Sequence, residues 1–167
     1  MFKIRKASKS DSAGISRLTK KFSTTLSRGP EEISRLARNF FVAENQKGKI
    51  VGCCGFKKWD SDAEIIALIV DSPYQKKGLA SRLFGKVLGQ LKKTKSVEKI
   101  FVLSTKDVAE KIFSPAGFFP AGIQMFSRKV GEDCRRCRKN RLDCKGRYLC
   151  DEIVLVYKNP KGRRNLK

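Results

Sequence analysis

The spacing of apolar residues predicts an α/β chain in which helices flank a central sheet. Three observations carry this. Residues 40–44 and 50–57 are strand-like runs joined by the polar turn Gln46-Lys47-Gly48, residues 64–70 are apolar at nearly every position after the first, and residues 79–91 repeat apolar side chains at helical spacing. The first is a hairpin, the second a strand buried on both faces, and the third a helix that packs on the sheet. A chain of 167 residues has room for one well-buried core and not for two ordinary domains. Residues 1–158 are read as that domain, with residues 131–150 inserted into it, followed by a basic tail over 159–167.

In chain order, residues 2–6 alternate apolar and basic side chains like an edge strand, and Ser10 or Asp11 caps a helix with Ile15, Leu18 and Phe22 on one face. A second helix is marked by Pro30 in its first turn, Glu31 and Glu32 near its positive end, and Ile33, Leu36 and Ala37 at helical spacing. After the hairpin, residues 59–63 read as a turn into the buried strand. The helix beyond it carries Leu79, Leu83, Phe84, Val87, Leu88 and Leu91 opposite Arg82, Lys86, Gln90 and Lys93. Residues 99–103 predict another strand and 107–115 a short helix. The turn Gly117-Phe118-Phe119-Pro120 leads to a strand near 123–126, and 153–157 supply the last strand.

Composition removes several kinds of chemistry. With no histidine, every Ser-His, Cys-His and His-metal mechanism is excluded. Lys and Arg total 38 against 16 Asp and Glu, a formal charge of +22 that favours anionic ligands and makes nucleic acid a further candidate partner. The excess runs along the whole chain, so it reads as a general field with a basic end over 158–167 rather than one stripe. Nothing at the start resembles a signal peptide and no apolar run reaches membrane-spanning length, so a cytoplasmic protein without membrane contact is expected.

The junction between residues 64–70 and the amphipathic helix is Asp71-Ser72-Pro73-Tyr74-Gln75-Lys76-Lys77-Gly78-Leu79-Ala80. A strand ending in a basic, glycine-containing turn that opens into a helix presents unpaired backbone N–H groups and a positive dipole end to one small volume, which suits a pyrophosphate. No G-x-x-x-x-G-K-[ST] occurs, and Gly78 lacks the other glycines of a dinucleotide fingerprint. Gln75-Lys76-Lys77-Gly78-Leu79-Ala80 resembles the Q/R-x-x-G-x-G/A signature of the GNAT superfamily of N-acetyltransferases, and Ala116-Gly117-Phe118 resembles that family's recurrent Gly-Phe. The order of elements is similar to the acetyltransferase fold over almost the whole chain. The resemblance implies a mixed, mostly antiparallel sheet and a cosubstrate, acetyl-CoA. Its pyrophosphate would lie on Gln75, Lys76, Lys77, Gly78, Leu79, Ala80 and Ser81, and its pantetheine arm along the backbone of Leu68, Ile69 and Val70.

Cys134, Cys137, Cys144 and Cys150 form C-x2-C-x6-C-x5-C in a segment rich in Arg and Lys, and four thiolates at such spacing can close around structural zinc. Free thiols, disulfides and an iron–sulfur cluster are the other readings, disulfides being disfavoured in a cytoplasmic protein. Residues 131–149 have few apolar side chains, so metal is expected to supply their folding free energy. Cys53 and Cys54 are adjacent on a strand, point to opposite faces and read as packing residues. Asp133-Cys134-Arg135-Arg136-Cys137 and Cys150-Asp151-Glu152-Ile153 also resemble a segment of short N-acetylglutamate synthase-like enzymes, which implies glutamate as acceptor; the longer, more basic middle with Cys144 departs from that pattern.

Acetyl transfer to an amine needs a held cosubstrate, a neutral amine and donors for the developing oxyanion. Glu64, the only acid at the start of its apolar strand, matches a position where many family members carry a general base, and burial beside apolar neighbours favours proton exchange there. The family's tyrosine acid is replaced by Phe113. The leading expectation is transfer of acetyl from acetyl-CoA to the amino group of a small amino acid such as glutamate. The alternatives are a nucleic-acid- or ribosome-associated acetyltransferase and a noncatalytic acetyl-CoA-binding module with a zinc knuckle.

Overall fold

A computed structural model describes residues 2–23, 25–147 and 149–162; the end of the expected basic tail, 163–167, lies outside the described residues. The elements run β1 (Lys3–Lys6), α1 (Ser12–Lys21), α2 (Pro30–Leu36), β2 (Phe41–Glu44), β3 (Ile50–Trp59), β4 (Asp62–Val70), α3 (Leu79–Lys93), β5 (Lys99–Ser104), α4 (Lys106–Val108), β6 (Phe119–Ala121), α5 (Ser127–Glu132) and β7 (Ile153–Lys158). The described strands form one seven-stranded sheet in the order β1-β2-β3-β4-β5-β7-β6. Only β4 and β5 pair in parallel; the other neighbours are antiparallel, the mixed sheet expected.

Each face of the sheet is covered because its helices are amphipathic. Leu79, Leu83, Phe84, Val87, Leu88 and Leu91 of α3 are all buried, in one core with Val51, Cys54, Ile65 and Val70. Each such side chain contributes about 1.5–3 kcal/mol on full burial. Ile15 and Leu18 of α1 and Ile33 of α2 build a second core with Val42, Cys53, Ile66 and Ile69. Cys53 and Cys54 thus enter different cores, as alternation along a strand requires, and burial pushes the Cys53 thiol up to about 12. Gly55 lets the backbone approach Phe40, whose ring would lie 2.7 Å from an added Cβ.

Three local expectations are corrected. β3 continues through Trp59 and the turn into β4 is only Asp60-Ser61, with Asp60 at φ 56°, so the hairpin is longer and tighter than residues 59–63 suggested. The strand expected near 123–126 is a 3-10 turn, and the strand is β6, at the sheet edge where Pro120 costs no interior ladder bond. A short apolar run does not declare its period; here it plants Phe126 on Phe101, with ring centroids 3.7 Å apart. The expected helix over 107–115 is α4 continued by a π-helical segment (Ala109–Phe113) and a 3-10 turn (Ser114–Ala116).

Candidate active site

β4 and β5 pair only over Asp62↔Lys99, Ala63↔Ile100 and Glu64↔Phe101, and then part. The reason lies on the other side of β4. Between Cys53↔Ile69 and Gly55↔Ile66 its register with β3 slips, leaving Ala67 and Leu68 without paired partners, with Ala67 at φ 52°. This is a β-bulge, which bends the bulged strand, and Cys53 Sγ donates to the Ala67 carbonyl at 3.4 Å. Ile69 and Val70 stay registered with β3. Beyond Glu64 the β5-facing edge of β4 has no β5 partner, so a ligand can enter the sheet there. Leu68 lines this opening.

Above the opening, β4 ends in Asp71, whose carboxylate accepts from the Ser72 N–H at 3.1 Å, and a 3-10 turn (Ser72–Tyr74) leads to α3. Gln75 Nε2 donates to the Val70 carbonyl at 2.9 Å, tying the turn to the end of β4. Lys76 and Gly78 have positive φ, 59° and 70°, and Gly78 is the N-cap of α3. No side chain caps that end. Gln75, Lys76, Lys77, Gly78 and Ser81 are exposed, and a Cβ on Gly78 would meet nothing within 4 Å. Leu79 alone of the motif is fully buried in the core, so its contribution is its backbone N–H. Uncapped N–H groups, an empty approach and two lysines fit a diphosphate. The turn is open, as a socket for coenzyme A requires.

Below the opening lies a cavity of about 670 Å³ lined by β4 from Glu64 to Leu68, by β5, by the loop at 25–28, and by α5 and the cysteine segment. Glu64 is 3 % exposed and faces this cavity. Its surroundings correct the expectation of apolar neighbours alone: Trp59 Nε1 donates to Oε2 at 3.1 Å, and Lys129 Nζ lies 2.6 Å from Oε1. Lys129 is 6 % exposed and also reaches Asp133 at 3.5 Å. Burial works against the Lys129 ammonium, but the charges of Glu64 and Asp133 hold its pKa above the ordinary lysine range.

Asp133 is the hub. Its carboxylate receives Arg28 at 2.9 Å, Lys57 at 3.0 Å and Arg136 at 3.2 Å. Burial alone would raise its pKa, and the Arg28 and Lys129 charges instead drive it far below the usual carboxylate range. Arg28 is itself 2 % exposed and pairs with Glu32, which Arg136 also engages. Glu152 is the one cavity acid pushed the other way: burial raises its pKa against the pull of Lys139. Phe113 is buried against Phe84 and lines the cavity, so the aromatic position carries no proton. Trp59, Lys129 and Arg28 were missed by sequence reading, because no motif marks them and the Lys129–Glu64 and Arg28–Asp133 pairs join elements distant in sequence.

The cysteine segment is a wall of this cavity rather than a separate knuckle. Cys134, Cys137 and Cys150 line it, while Cys144 is exposed elsewhere. Among the described residues no group of three or more Cys, Asp or Glu is arranged to hold a metal ion, so the expected zinc tetrad does not fit. Local hydrogen bonding explains this: Asp143 Oδ1 accepts from the N–H groups of Lys145 and Arg147, and Gly146 N–H donates to the Asp143 carbonyl at 3.0 Å, which locks Cys144 into its own turn. The ion pairs of Asp133 with Arg28 and of Lys139 with Asp151 help tie the segment down.

Residues 11–118 match the family model described as the acetyltransferase (GNAT) family. An uncharacterised N-acetyltransferase of Chlorobaculum tepidum is 31% identical over 157 residues, covering 92% of this chain and 94% of that protein. The fold is similar to the N-acetylglutamate synthase of Neisseria gonorrhoeae solved with coenzyme A and N-acetyl-glutamate, with TM-score 0.70 and 20% identity over 95% of this chain; the chain spans only 35% of that enzyme. It is also similar to Rv2747 of Mycobacterium tuberculosis solved with CoA, with TM-score 0.67 and 21% identity over 93% of this chain and 98% of that one.

Proposed function

Because the chain belongs to the acetyltransferase (GNAT) family and is an acetyl-CoA-dependent N-acetyltransferase, we propose that its acceptor is the amino group of a small acidic amino acid such as glutamate. The observation that carries this reading is the parting of β4 from β5 beyond Glu64, with an exposed, uncapped α3 terminus following the end of β4 and the Glu64 cavity along its start. Acetyl-CoA supplies the activated acetyl thioester. Gln75 to Ser81 bind its diphosphate by backbone N–H groups, with the charges of Lys76 and Lys77. The unpaired edge of β4 at Leu68, Ile69 and Val70 aligns the pantetheine arm and directs the thioester toward the cavity.

On the acceptor side, Glu64 takes a proton from the incoming ammonium, directly or through water, while Trp59 and Lys129 hold the carboxylate in place. Arg138 lines the cavity, is exposed, and forms no ion pair among the described residues, so it is available to an acceptor carboxylate. Burial raises the pKa of two groups there, the Glu152 carboxyl against the pull of Lys139 and the Cys134 thiol against that of Lys129.

The test is acetyl-CoA consumption with a panel of amino acids, polyamines and peptides. Glutamate or aspartate should be preferred. A preference for cationic amines would refute the acidic acceptor, and absence of turnover with every amine would refute the acetyl-transfer reading.

A further inference from the structure

The charge excess, spread along the sequence, is gathered by the fold. Between Asp71 and Glu98 no acidic residue occurs, and the segment contains α3 with the turns at its two ends. Lys76, Lys77, Arg82, Lys86, Lys93 and Lys95 are exposed there, and none makes an ion pair among the described residues. Lys92 is held over the Tyr157 ring at 4.4 Å. Arg82, Lys86 and Lys93 stand four and then seven positions apart, on one face of a helix about 22 Å long. Gly85 and Gly89 lie beside them with nothing within 4 Å of an added Cβ, so a ligand can approach the backbone between the cations.

We propose that the outer face of α3 binds the sugar–phosphate backbone of a nucleic acid. The row from Arg82 to Lys93 runs about 16 Å along the helix, and phosphates repeat about every 3.4 Å along each strand of a duplex, so the row spans about five of them. An anionic bilayer is disfavoured: a membrane-lying helix buries apolar side chains in the interface, whereas those of α3 are committed to the core. The exposed large apolar residues, Val108, Phe119, Met125, Val130, Leu142, Leu149 and Ile153, all lie outside this segment.

The test is fluorescence anisotropy with a labelled duplex and a labelled single strand across about 50 to 200 mM salt. About five phosphate contacts at about 0.9 ions each give a log–log slope of about −4.5 on duplex, a loss of about 500-fold in affinity over that range. Combining Lys86→Gln, Lys93→Gln and Lys95→Gln, all outside the diphosphate turn and the acceptor cavity, should shrink the slope by about half and weaken binding at least about tenfold at about 100 mM salt. Acetyl-CoA turnover should be unchanged, so the proposal stands or falls separately from the acceptor. An unchanged slope in the triple variant overturns it, as does equal affinity for poly-glutamate or for phosphatidylserine vesicles.

Discussion

Lys129 Nζ sits 2.6 Å from Glu64 Oε1 although the two residues belong to α5 and β4 and both are nearly water-free. A buried carboxylate without a partner is costly, and removing one member of a buried ion pair typically costs about 3–5 kcal/mol because the other charge is left uncompensated. Lys129→Met strands Glu64 without a charged partner, while Asp133 keeps Arg28, Lys57 and Arg136. The variant's denaturant midpoint should fall by an amount in that range, and Lys129→Arg should recover part of it. Equal stability of wild type and Lys129→Met would show that the pair does not hold α5 on the sheet.

Glu64→Gln keeps the shape and retains an oxygen for the Trp59 N–H, but cannot accept the proton of the acceptor ammonium. General-base removal costs about 10²–10⁴ in rate. Steady-state kinetics should show kcat reduced in this range with acetyl-CoA affinity nearly unchanged. A variant that turns over like wild type removes Glu64 from the mechanism.

Acid stability should follow Asp133 and Asp11. The Arg5 hydrogen bond, with help from Ser8, holds Asp11 down to about 2 against burial, and the Arg28 and Lys129 charges depress Asp133 further. A depressed carboxylate contributes stability that is complete above its unfolded pKa of about 4 and is lost as pH falls. Urea unfolding from about pH 6 to 2 should show this decline, and Asp133→Asn should flatten it while lowering stability at neutral pH. Lys129 has the opposite sign: its raised pKa contributes stability below about 10.5 that disappears as pH climbs through the folded value. An acid limb as steep in Asp133→Asn as in wild type would contradict the assignment.

The order of strands and helices was legible because the cores are built from residues whose period matches their element, as in α3 and in β4. The exposed, uncapped turn before α3 was legible because Gly78 and its lysines are local in sequence. The acceptor half was not. Arg28, Lys57, and the pair Lys129 and Asp133 at the end of α5 meet from three segments, and a polar residue bound for a buried pair has the same sequence signature as a solvated one. The cysteine spacing misled for a related reason: Asp143 organises Cys144 locally, and spacing does not report that competition.

Cys134, Cys137 and Cys150 line the acceptor cavity and Cys144 does not. A thiol-alkylating reagent should therefore slow turnover, acceptor should protect against it, and Cys144→Ser should behave as wild type in both respects. Chelator treatment should leave the melting temperature unchanged, because ion pairs of Asp133 anchor the segment. Unfolding on metal removal would restore the zinc reading and displace this one.

Gly78 joins backbone conformation to cosubstrate binding more directly than any other residue of the turn. At φ 70° an L side chain is strained by about 1 kcal/mol, yet the space around its Cβ is empty. Gly78→Ala therefore isolates the conformational cost and should lower stability by about 1 kcal/mol while leaving acetyl-CoA affinity nearly unchanged. Gly78→Glu adds a carboxylate at the helix end proposed to hold the diphosphate through the N–H groups of Leu79, Ala80 and Ser81, so calorimetric binding should be abolished while the circular dichroism spectrum stays native. The difference between the two variants measures electrostatics alone. If Gly78→Glu bound acetyl-CoA as tightly as Gly78→Ala, the diphosphate would have to lie away from this helix end.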